Sequence, residues 1–174
     1  VFSKVSEMFP TNKIGALAWG QKASCLLQWA LVSQQYDAAS NAFQVVLTSP
    51  AADGRARGIA KVGMAAVLEK QADQNPATAR ELLKIAMNHC LDVFFGSNVV
   101  WHEGETADPF WIRKAGLEAA RLAEVQGEWA QAIKVYQKLQ EDLPVLRPRM
   151  EKNIARAQEQ MAKAQQPPVA VKTP

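Results

Sequence analysis

One spacing recurs along the chain: a small residue, a large one four places on, an apolar one three beyond that, and usually a proline. Ala132, Tyr136, Leu139 and Pro144 follow it, and Ala39, Phe43, Val46 and Pro50 follow it again. Ala86, Cys90 and Val93 stand in the same relation, and Phe2, Val5 and Pro10 repeat its second half. Residues at i, i+4 and i+7 share one face of a helix. The small residue lets a neighbouring helix approach closely, and the large one fills the space beyond it. Proline cannot continue the helix and helps to end it. The pattern predicts helices that each offer one apolar face to a neighbour.

A further helical stretch precedes each complete copy. These are NKIGALAWGQKASCLLQWALVSQQ, RARGIAKVGMAAVLEKQAD and DPFWIRKAGLEAARLAEVQG. In the last, Asp108 is placed to cap the helix and Pro109 to begin it. The stretch PRMEKNIARAQEQMAKAQ puts Met150, Ile154, Ala157 and Met161 on one side. No partner helix follows it, so it reads as a closing cap. The chain has 174 residues, 48% of them apolar, enough for one domain with a sizeable core. The expected fold is all-α: an α-solenoid of antiparallel helix pairs with a C-terminal capping helix. Residues 1–164 form the repeat domain, starting within a truncated first repeat, and residues 165–174 form a disordered tail.

Paired helices with this punctuation resemble tetratricopeptide repeats, whose pattern runs Trp, Leu-Gly, Tyr, Ala, Phe, Pro. The fourth repeat carries it at Gly127, Trp129, Ala132, Tyr136 and Pro144, the second at Leu26, Tyr36, Ala39 and Phe43, and the third at Gly63 and Ala86. Its first half is degenerate in the fourth repeat, where Ala120 and Ala123 replace Gly and Tyr. The period also departs. Ala39 to Ala86 is 47 residues and Ala86 to Ala132 is 46, against about 34 in the family. The extra residues are expected in a lengthened turn, KQADQNPATAR, and in a long connection, FFGSNVVWHEGETADPFW. Stretches such as FPTNKIGALAWG and VYQKLQEDLP are similar to bacterial cell-envelope members of the family. That resemblance implies a periplasmic or outer-membrane-associated location, with any signal or anchor upstream.

Little in the chain points to chemistry. His89 has no further ligand at metal-binding spacing, and His102 in WHEGE lacks the second histidine of HExxH. Cys25 and Cys90 have no cationic motif beside them and form no disulfide framework; both are expected to be buried, unbonded and apolar in role. Glu103 and Glu105 are expected to be solvated in an acidic loop. No phosphate loop occurs. The chain is therefore read as non-enzymatic, with no cofactor and no metal. Net charge is +3, too weak to argue for nucleic acid. No apolar run is long enough to span a membrane. Residues 145–174 hold six basic side chains against two acidic ones, which makes the last helix the basic part. Of the five tryptophans, Trp19, Trp29 and Trp129 are expected to pack against helices and Trp111 to staple a helix start. Trp101 lies in the longest aperiodic stretch, where loops often carry function; it is expected either to tuck back over a helix groove or to present a partner contact.

The expected function is a protein-interaction scaffold. The family resemblance implies that the first helix of each pair lines a concave face that binds a peptide or protein segment. By position that face takes Gln21, Ser24 and Gln28, then Arg57 and Met64, then Lys114, Leu117, Arg121 and Glu124, with the Trp101 loop closing over one edge. Its mildly basic character suggests an extended or acidic partner. The alternative is a structural or oligomerisation module of a longer chain, self-associating through its repeats.

Overall fold

The computed structural model describes residues 1–97, 99, 104–105 and 108–165. All the regular structure among the described residues is helical. In chain order it comprises α1 (Phe2–Met8), α2 (Lys13–Ser33), α3 (Asp37–Thr48), α4 (Gly54–Gln74), α5 (Ala79–Phe95), α6 (Pro109–Val125) and α7 (Trp129–Asp142). A single 3-10 turn (Pro144–Leu146) then leads into α8 (Arg147–Gln165). Trp101, His102 and Glu103, and the tail beyond Gln165, lie outside the described residues.

Local chemistry sets the helix ends. The Asn12 side chain accepts from the Ile14 and Gly15 amides and opens α2. Asp53 accepts from the Ala56 amide at α4, and Asp108 from the Phe110 amide at α6, with Pro109 in the first turn as expected. Each satisfies donors that a helix start leaves unpaired. Pro10, Pro50 and Pro144 each fall two residues beyond the last helical residue of α1, α3 and α7. At the end of α5 the chain turns through Gly96 at φ 69°, a conformation that costs glycine little.

The recurring small residues mark the close crossings. Ala39, Ala86 and Ala132 have no exposed surface, and their partners Phe43, Cys90 and Tyr136 are buried. The first, incomplete copy differs, since Phe2 stays 38% exposed. Each helix packs on the next in sequence, and α4 also packs on both α2 and α6. The interior forms two clusters. One gathers α2, α3 and part of α4 around Phe43 and Val46; the other runs from α4 to α8 around Cys90, Leu122, Leu139 and Met150. The two divide α4 between them. Ala56, Ala60, Met64 and Val67 face the first, Val62 and Ala65 the second, and Leu68 touches both. A helix buried on both flanks has an apolar surface nearly all round, as the buried positions of α4 show.

Two approaches of one helix to another require glycine. A Cβ on Gly63 would stand 2.1 Å from the Phe43 ring, and one on Gly116 would stand 2.6 Å from the Phe94 ring. In both places an aromatic ring from one helix meets the backbone of the next.

Some expectations are corrected. The turn within the third repeat is short, residues 75–78; the extra length lies in α4 itself, which has 21 residues, as has α2. Cys25 is exposed, not buried, while Cys90 is buried, and both thiols are free. Trp29 is 55% exposed and does not pack inside. Glu105 does not hang in solvent: its carboxylate accepts from the Gly54 amide at 2.9 Å, at the positive end of α4. Val99 is buried in the second cluster, and Arg55 pairs with Asp108 at 3.5 Å. Glu105 and Asp108 thus fasten the long connection to the start of α4.

Candidate functional site

The packing of α4 between α2 and α6 brings one stripe from each helix to a common face. Between them runs a groove of about 650 Å³. On α2 it is lined by Gln21, Ser24, Leu27, Gln28 and Leu31, spaced three or four apart, hence on one helical face. On α4 the lining includes Gly63, against which the Phe43 ring packs, and the small Ala66, with Glu69 and Lys70 further along. On α6 it is Phe110, Trp111, Lys114, Glu118 and Arg121. The surface is mixed: Leu27, Leu31 and Phe110 are apolar, the glutamines and Ser24 offer hydrogen bonds, and the charges cluster where α4 faces α6.

That charge cluster is largely self-neutralised. Arg121 reaches across to Glu69 with two bonds, at 2.9 and 2.6 Å, and its Nε donates to Glu118 at 2.8 Å. The bond to Glu69 is the main reason that the guanidinium holds its proton even more firmly than usual, although burial works against it. A planar guanidinium suits a carboxylate through two parallel bonds, so Arg121 works first as a tie between α4 and α6. Lys114 is placed differently, with its ammonium 5.0 Å from the centre of the Trp111 ring. Lys70 pairs with Asp73 at 3.0 Å.

Of the residues assigned to a binding face from the sequence, Gln21, Ser24, Gln28, Lys114 and Arg121 line the groove. Others do not. Arg57 is buried, and its guanidinium donates to the Ala52 and Ser49 carbonyls, both at 2.9 Å, closing the chain before α4. Met64 is buried in the first cluster. Leu117 packs, half-buried, against the second. Glu124 accepts from Tyr136 and Arg156 and so joins α6 to α7 and α8. Trp101 is outside the described residues.

Sequence reasoning missed Glu69 and Glu118. Glu118 stands three residues before Arg121, a helical ion-pair spacing that was legible; Glu69 is 52 residues away and gave no local signal. His89 is half-buried beside the Lys61–Asp92 ion pair, which closes to 2.6 Å. Burial first, and then the Lys61 charge, lower its proton affinity, while Asp92 opposes them.

Among the described residues no helix is long and apolar enough to cross a membrane. The chain matches no family model, no curated protein and no solved structure.

Proposed function

We propose that the chain is a non-catalytic scaffold, built as an α-solenoid of tetratricopeptide-like helix pairs closed by α8, and that it holds a segment of a partner protein in the groove across α2, α4 and α6. The observation that carries this reading is the groove itself. It spans three helices, with the small Ala66 on α4 in its lining, and is lined by both apolar and hydrogen-bonding side chains. Such a surface suits an extended or helical segment with apolar anchors set among polar groups. Because Glu69 and Glu118 already engage Arg121, recognition rests on shape, on Leu27, Leu31 and Phe110, and on Gln21 and Gln28, more than on bulk charge.

The test is to fill the groove. Ala66→Phe places a ring where a partner segment would lie, on a helix face that the fold leaves open. Proteins captured from a lysate of the native host by the unaltered chain should be lost with this variant, while far-UV circular dichroism and melting stay unchanged. Capture of the same proteins by a folded Ala66→Phe chain would remove the groove from the reading.

A further inference from the structure

We propose, on the scaffold reading given above, that the segment held in the groove is an extended strand and not a helix. Its backbone bonds to Gln21 and Gln28, and it carries one acidic side chain for Lys114 and one basic side chain for the Glu69 and Glu118 carboxylates.

The α2 wall supplies amides that have nothing to bind. Gln21 and Gln28 line the groove, and neither side chain has a hydrogen-bond partner among the described residues. Ser24, between them, is engaged, since its hydroxyl donates to the Gly20 carbonyl at 3.0 Å. The two glutamines stand two helical turns apart on one face, about 10 Å from root to root. Each amide offers both donors and an acceptor. A helix closes its backbone N–H and C=O groups on itself and has none to give such a wall along its length. An extended segment must find partners for them wherever it is buried. Its residues two apart turn their backbone groups the same way at about 7 Å, within reach of two flexible glutamines.

Charge on the α6 side is divided. Glu69 and Glu118 both bind one guanidinium, that of Arg121, which leaves this cluster with a negative charge in excess. Lys70 is matched by Asp73. Lys114 has no ion-pair partner among the described residues, and its ammonium lies 5.0 Å from the centre of the Trp111 ring. The groove is thus close to neutral as a whole, with a positive point at Lys114 and a negative one a turn or two further along α6, about 6 to 10 Å away. A strand with an acidic and a basic side chain on one face, two residues and about 7 Å apart, matches both points. A uniformly acidic segment would be repelled by Glu118, and a uniformly basic one by Lys114.

The probe is a linear peptide selected on the unaltered chain from a phage-displayed random library, and kept only if the folded Ala66→Phe chain fails to bind it. Should Ala66→Phe not fold, Leu31→Glu, on the exposed wall of α2, serves instead. N-methylation of single backbone amides in the peptide should weaken binding about ten-fold at one or two positions. Gln21→Leu with Gln28→Leu should abolish that sensitivity and leave helicity unchanged. The Lys114→Glu chain should prefer the peptide whose acidic residue is changed to lysine. A groove-bound peptide that gains helical circular dichroism on mixing overturns the inference and leaves the scaffold reading standing. So does one indifferent both to N-methylation and to the Lys114→Glu exchange. If no selected peptide depends on the groove, the scaffold reading fails, and the extended strand with it.

Discussion

Gly63 shows how much one missing methyl group decides. Alanine is the better helix former by about 1 kcal/mol, yet its Cβ would stand 2.1 Å from a Phe43 ring that has no exposed surface to retreat into. Gly63→Ala is expected to destabilise the fold by about 1–3 kcal/mol, read as a lower denaturant midpoint. Adding Phe43→Leu should make the two losses less than additive, because the second change removes the clash created by the first. Fully additive losses would show that the ring and the glycine are independent. Tyr136 and Cys90 carry a second, pH-dependent effect. Burial, then the Glu124 charge, push the Tyr136 hydroxyl up to about 12, and burial pushes the Cys90 thiol up to about 12. The folded chain thus holds both protons more tightly than the unfolded chain, whose values are about 10 and 8.5. Their contribution is complete below those values and is lost as pH rises through about 12. Midpoints measured from neutral pH upward should therefore fall in the alkaline range, and Tyr136→Phe should flatten the fall. An identical slope in that variant would mean that the hydroxyl plays no part.

At the scale of the element, α4 depends on what meets its first turn. Asp53 accepts from the Ala56 amide at 2.7 Å, and Glu105, from far along the chain, accepts from the Gly54 amide. Asp53→Ala should cost about 1 kcal/mol, again measured in denaturant; no loss would indicate that Glu105 suffices alone. The pair also shows which parts of the structure could be read in advance. Asp108 and the prolines after α1, α3 and α7 act within a few residues of themselves, so the sequence reveals them. The stripe of Gln21, Ser24 and Gln28 is legible for the same reason: periodicity places residues on a face. Glu105 on Gly54, Glu69 on Arg121 and Arg57 on the Ser49 carbonyl are encounters between chemistries that several partners could have satisfied, and only packing chooses among them. Arg57 looked like a surface cation because arginine usually is one. Trp29 looked like core because its size argues for burial, yet it lies on the outer side of α2, 55% exposed.

For the whole molecule, the shared helix is decisive. Both apolar clusters draw on α4, so neither should melt while the other stands. Far-UV circular dichroism and tryptophan fluorescence are expected to report one coincident transition in denaturant; two separated transitions would show that the halves fold independently. Contacts between helices that are adjacent in sequence dominate the packing, an arrangement associated with fast folding. It also has a mechanical side. α2 and α6 both lean on α4, so the span from one end of the molecule to the other passes through joints in series, and small rotations at each add up. Springs built this way are soft in bending. On the proposed reading, a segment laid in the groove would touch all three helices at once and act as a splint, leaving the molecule stiffer.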